Sequence, residues 1–168
     1  GIATIKDDGT GPDPDGPNGP ETPDDDRPAV SITETVSVSE GSPAAFTVSL
    51  DKAAETDVTV KLTSSTDGTN SAEADDIGAM TATYDDNGTP AVLTIDSNGN
   101  VVIPAGVKDI TVSVATTDDS NYEGDETFSV TVAGVTGATG TDTGIATIKD
   151  DGTGPDPDGP NGPETPDD

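Results

Sequence analysis

The chain contains no cysteine, no histidine and no tryptophan. Without cysteine there is no disulfide and no thiolate. Without histidine there is no imidazole base, and zinc loses its usual nitrogen and sulfur ligands. Carboxylate pairs exist, but no nucleophile–base constellation accompanies them, so an enzyme is not expected. Two tyrosines and two phenylalanines are too few to build a sugar-stacking platform. Basic residues are almost as scarce: six Lys and Arg face 34 Asp and Glu, a net charge of −28. Such a surface repels nucleic acid and anionic membrane and leaves a metal cation or divalent salt as the counter-charge. High acidity also serves solubility or life in salty water, but here the acids are clustered rather than scattered. No apolar run approaches the ~18–20 residues of a membrane span, and no signal peptide is visible, as expected of an internal piece of a longer protein.

What is present is a duplication. The first twenty-five residues, GIATIKDDGTGPDPDGPNGPETPDD, recur letter for letter as residues 144–168, 143 positions further on. The chain therefore reads as a window on a tandem array, opening in the tail of one repeat and closing just past the tail of the next. One repeat has the size of a domain plus a linker.

Residues 9–28 are rich in Pro, Gly and Asp with no apolar period, and are expected to form an acidic linker, as are residues 152–168. As polyproline the ~19 linker residues would span ~59 Å, and as a random coil ~24 Å. Glycine keeps no three-residue period, so collagen does not fit. From Ala29 onward apolar residues alternate with Ser and Thr: Val30 and Ile32; Val36 and Val38; Phe46, Val48 and Leu50; Val58, Val60 and Leu62; Ile110, Val112 and Val114; Phe128, Val130 and Val132. This is the period of half-buried antiparallel strands. Shorter strands are expected over 80–84, 92–95 and 101–103, and a closing strand over 144–149. There the three-residue spacing of Ile145 and Ile148 suggests a bulge or burial on both faces. Asp67-Gly68, Asn87-Gly88 and Asn98-Gly99 are turn dipeptides, of which Asn98-Gly99 reads as the clearest hairpin; Asn87-Gly88-Thr89 is also a glycosylation sequon, with the turn preferred. No helical period is found. The fold class expected is all-β, an immunoglobulin-like antiparallel sandwich of about seven to nine strands over 29–151. Residues 1–8, a copy of the closing strand cut from its own domain, are expected to be disordered or to pair with a neighbouring molecule's sheet edge.

The acids converge on a few loops. Asp118, Asp119, Glu123 and Glu126 crowd one connection, and calcium, which takes six to eight oxygens in flexible geometry, suits such a loop. Residues 119–124 mimic the start of an EF-hand, but Val130 stands where its twelfth-position Glu belongs, which excludes that motif. Glu40 lies in a turn, Asp75 and Asp76 in a Gly/Ala-rich crossing loop, and Asp150 and Asp151 after the last strand. Alternating strands gather their ends at two poles, so these acids either share one pole or form separate solvated turns.

Three segments carry a family resemblance: Ser39-Glu40-Gly41; Asp118-Asp119-x-x-x-Glu123-Gly124-x-Glu126-Thr127-Phe128; and Ile145-Ala146-Thr147-Ile148-Lys149-Asp150-Asp151. Together they make residues 30–151 resemble a Calx-β domain, the immunoglobulin-like module of sodium/calcium exchangers, of an integrin and of many bacterial surface adhesins. The resemblance implies Ca2+ as the bound metal, with Glu40, Asp76, Asp118, Asp119, Glu123, Glu126, Asp150 and Asp151 as ligands at one pole. Gly152 replaces a third aspartate common in the family, which implies fewer ions than its richest members hold. Near-identical repeats with acidic linkers further resemble the extender region of giant adhesins of the RTX, large-adhesion-protein type. The function expected is a structural spacer on the bacterial cell surface, stiffened by calcium. Its partners would be neighbouring identical repeats, calcium ions and the adhesin's distal ligand-binding region. A carbohydrate- or ligand-binding module and an exchanger-type calcium sensor are the alternatives.

Overall fold

A computed structural model of the chain describes residues 27–68, 70–118 and 124–149. The expectations for residues 1–8, for the linkers at 9–26 and 152–168, and for Asp119, Glu123, Asp150 and Asp151 lie outside the described residues. Ten strands follow in order: β1 (Val30–Ile32), β2 (Thr35–Ser39), β3 (Ala44–Leu50), β4 (Val58–Ser65), β5 (Ile77–Asp86), β6 (Thr89–Leu93), β7 (Asn100–Ile103), β8 (Asp109–Thr116), β9 (Glu126–Thr136) and β10 (Thr141–Lys149). They form two five-stranded sheets, β1-β3-β8-β5-β6 and β2-β10-β9-β4-β7. The expected all-β sandwich is therefore present.

The alternation of apolar and hydroxyl residues is what makes two sheets. Along β3, Ala44, Phe46, Val48 and Leu50 are buried while Ala45 and Thr47 face out. Val130 and Val132 of β9 and Val112 and Val114 of β8 fill the same interior. The two phenylalanines meet across the layers: Phe46 and Phe128 pack edge to face with ring centroids 6.3 Å apart. β-branched side chains dominate the rest of the core, as a pleated surface favours.

Two local expectations are corrected and a third is refined. The pairing is not wholly antiparallel, because β2 lies parallel to β10, Thr35 opposite Ile145 and Ser39 opposite Lys149. The chain passes from the first sheet to the second at Thr33 and Glu34 without reversing, so β2 continues in the direction of β1. Thr33 donates its N–H to the Thr47 carbonyl, and the Glu34 carbonyl accepts from Ile145 N–H, which pins the crossing to both sheets. Second, β10 has no two-faced burial: Gly144, Ala146 and Ile148 point inward in strict alternation and Ile145 is exposed. Gly144 has no side chain because the Phe46 ring and the Thr33 carbonyl occupy the space a Cβ there would need. Third, Asn98-Gly99 turns the chain back between Ile95 and Val101 as expected, but the hairpin with a full ladder is at Asn87-Gly88. Asn87 and Gly88 both have positive φ, 53° and 90°, between the paired residues Asp86 and Thr89, as a type I′ turn requires. Asn98-Gly99 closes a tight turn with one bridge, Ile95 to Val101, and carries the chain from the edge of one sheet to the edge of the other.

Strand direction assigns the poles. Val30 pairs with Leu50, so β1 begins where β3 ends. Lys149 lies beside Ser39, and Ile148 opposite Glu126, so β10 ends where β2 ends and β9 begins. The described chain thus enters the sandwich at one pole and reaches Lys149 at the other.

Candidate metal centre

The pole holding Lys149 carries the one group of three carboxylates close enough to share an ion among the described residues. It comprises the ends of β2, β8 and β10 and the starts of β3, β5 and β9. The crossing loop from β4 to β5 is laid onto β9 by backbone bonds: Thr127 N–H donates to the Asn70 carbonyl at 2.8 Å, and Ala72 N–H to the Thr127 carbonyl at 2.9 Å. This strip of pairing brings the turn that follows, Glu73 to Asp76, against Glu126, the first residue of β9. In that turn the Asp76 carboxylate accepts the Glu73 N–H at 2.5 Å. Its exit is tied to the end of β8, where Thr117 N–H donates to the Asp76 carbonyl at 2.8 Å and Thr117 Oγ1 to the Asp75 carbonyl at 2.6 Å.

The result is a trio. Carboxylate oxygens of Glu73, Asp76 and Glu126 all lie within 4.8 Å of one another. Asp76, 6% exposed, is the one buried charged residue among the described residues. Burial raises its pKa above the ordinary value, and the neighbouring Glu73 adds to the rise, while its hydrogen bonds to the Glu73 backbone and to Glu126 oppose it. A desolvated carboxylate with two acidic neighbours is held there against both hydration and Coulomb repulsion. Three carboxylates offer up to six oxygens, a hard donor set that fits calcium and is foreign to soft metals.

Of the four expected ligands among the described residues, Asp76 and Glu126 are in this trio. Asp118 stands on the loop after β8 at the same pole. The Ser39–Ser42 turn, which carries Glu40, packs against it: a Cβ on Gly41 would lie 3.0 Å from the Asp118 Cβ. Glu40 donates its backbone N–H to the Lys149 carbonyl at 3.0 Å, so its turn is fastened to the last residue of β10. Glu40 and Asp118 belong to the pole but not to the trio. Asp75 is exposed, with its carbonyl turned to Thr117. Glu73 was absent from the expected set. Its signal is the spacing Glu73-x-x-Asp76, which a tight turn folds onto itself, and it shows only once that turn is recognised. Asp125 is engaged by Lys149 at 2.8 Å on the surface, a contact of little energetic weight.

The fold is a two-sheet β-sandwich with a trio of carboxylates at the pole of the Ser39–Ser42 turn. Residues 24–83 and 80–152 match the Calx-beta domain, and the chain belongs to that family. The two matched segments meet within β5, so together they cover the single sandwich described above. No curated protein matches the chain. Among solved structures it is similar to BcpA, the major pilin subunit of Bacillus cereus, at 7% identity and a TM-score of 0.34, over 73% of this chain and 40% of the pilin. A second crystal structure of BcpA gives a TM-score of 0.33 at the same identity and coverage. The chain thus spans well under half the length of that pilin.

Proposed function

We propose that the chain is a spacer repeat of a bacterial cell-surface adhesin, folded and stiffened by Ca2+ at the acidic pole. The observation that carries this reading is the placement of the acids relative to the chain's path. The sandwich is entered at one pole, and the Glu73, Asp76 and Glu126 carboxylates cluster at the other, where β10 ends. Glu73, Asp76 and Glu126 would hold one ion. Glu40, Asp118, Asp119, Glu123, Asp150 and Asp151 would supply further ligands around it. Calcium supplies the positive charge this pole lacks, and the protein's part is to fix the carboxylates. Domains joined pole to pole in this way add length, and an ion at the exit fastens the start of the acidic linker to the domain before it. The duplicated tail, the absence of Cys and His, and a net charge of −28 all agree with a secreted, modular, non-catalytic chain.

Small-angle scattering of a protein carrying two consecutive repeats tests the reading. With millimolar calcium the maximum dimension should increase and the domains should become more compact than in EGTA. Equal scattering curves in both conditions would contradict the proposal.

A further inference from the structure

The two ends of the sandwich run side by side. Ala29 bridges Thr139 in parallel. Ile32 donates its N–H to the Asp142 carboxylate at 2.9 Å, 110 residues further on. Thr35 then lies opposite Ile145, and Ser39 opposite Lys149, at the same offset. The entering segment 29–39 therefore tracks the leaving segment 139–149 in one parallel register from pole to pole. The track persists where the chain changes sheets. There β1 is laddered to β3 and not to β10, and Asp142 fills the gap. One of its carboxylate oxygens accepts from Ile32 N–H and the other from Thr143 N–H, at 2.9 Å each, which fixes its direction. Backbone bonds close the track at both ends: Val30 N–H donates to the Thr139 carbonyl at 2.9 Å, and Glu40 N–H to the Lys149 carbonyl at 3.0 Å.

The described chain enters at one pole and reaches Lys149 at the other, so tension along it pulls these parallel segments past each other. Segment 29–39 is drawn toward the pole of Val30, and segment 139–149 toward the pole of Lys149. A force along two paired strands strains all the bonds between them together, because those bonds are evenly spaced and run across the strands. A force across the strands opens the same bonds one at a time. Slippage offers no gradual escape. Val36 and Val38 of β2 pack against the core, and a slip of one residue would turn them outward. The next register that keeps them inward is ~6.6 Å away, two residues at ~3.3 Å each, and every bond has broken before it is reached. We infer that segments 29–39 and 139–149 form a shear clamp, which carries tension applied along the chain and sets the force at which the sandwich opens. The clamp consists of backbone bonds and the Asp142 side chain and needs no ion. Its use in the cell rests on the spacer reading above, whereas its mechanics follow from the sandwich alone.

Single-molecule force spectroscopy of the full chain tests the clamp in two pulling geometries that share the N-terminal handle. With the second handle at the C terminus, the clamp is sheared. With it at Thr141→Cys, an exposed position where β10 begins, the two segments are peeled apart from one pole; the lack of native cysteine makes that attachment unique. Forced opening reads the unfolding barrier. The end-to-end peak force should be several-fold higher than the peeling force, in millimolar calcium and in EGTA alike. Equal forces in the two geometries, or a difference present only with calcium, would overturn the inference. Scattering curves that ignore calcium would contradict the calcium-stiffened spacer and leave this force ratio standing, so the two failures are distinguishable. Two substitutions trace the path of the force end to end. Asp142→Ala removes the bond to Ile32 and should lower the peak force. Gly88→Ala weakens the β5–β6 hairpin, outside the clamp, and should leave it unchanged. Equal weakening by both would also overturn the inference.

Discussion

Asp76 is the residue on which the site turns. It is buried, it lies among acids, and its turn is fixed by bonds to Glu73 and Thr117 rather than by a counter-charge. Asp76→Asn keeps the shape and the acceptor for the Glu73 N–H while removing the charge. In EGTA this variant should be as stable as the parent or more so. In calcium it should lose roughly 1–3 kcal/mol of metal-dependent stabilisation, the value of one site with Kd near ~10⁻⁴–10⁻³ M at ~10 mM calcium. Paired thermal melts measure both. The raised pKa of Asp76 gives a second expectation. Its folded form holds a proton more tightly than the unfolded chain does, so its contribution is present at low pH and is lost as pH rises through the folded pKa. The calcium-free protein should therefore melt at a higher temperature at a pH where folded Asp76 is protonated than at pH 7. With calcium bound the order should reverse, because protonation competes with the metal. Asp96 shows the opposite arrangement at the surface: the Asn100 N–H and side chain and the Asn98 N–H bind its carboxylate and lower its pKa, which supports the turn.

At the scale of elements, the β5–β6 hairpin depends on two residues that tolerate positive φ. Gly88→Ala puts a side chain at φ 90° and should cost about 1–2 kcal/mol, visible as a lower urea midpoint with an unchanged m-value. The strands themselves were legible in the sequence because one inward and one outward residue per pair is a local property. Phe46, Val48 and Leu50 announce β3 with no knowledge of their neighbours. What was not legible depended on partners far along the chain. The parallel pairing of β2 with β10 follows from a sheet change at Thr33 and Glu34 that leaves no periodic mark. The exposure of Ile145 follows from the Phe46 ring standing beneath Gly144. Two Asx-Gly dipeptides look alike in sequence, and only the sheet on which each next strand lands separates the hairpin at Asn87 from the crossing at Asn98. The site behaved in the same way. Asp76 and Glu126 could be named from their loops, whereas Glu73 joins them only because residues 70–72 pair with Thr127 and fold the turn back.

For the whole molecule, the arrangement is polar in both senses of the word. The chain enters at the pole of Val30, the carboxylate trio lies at the pole of Lys149, and residues 27–149, with 19 acids against 5 bases, carry half of the net charge of −28 on a modest core. Such self-repulsion opposes the compact state, and a cation held by Glu73, Asp76 and Glu126 would offset it at the trio. In the function proposed above, calcium is part of the fold. Thermal unfolding of the full chain across a calcium titration tests it most directly. Tm should rise by roughly 5–15 °C between EGTA and ~10 mM calcium, with magnesium at the same ionic strength giving much less. A Tm that does not move with calcium, or moves equally with magnesium, would contradict it.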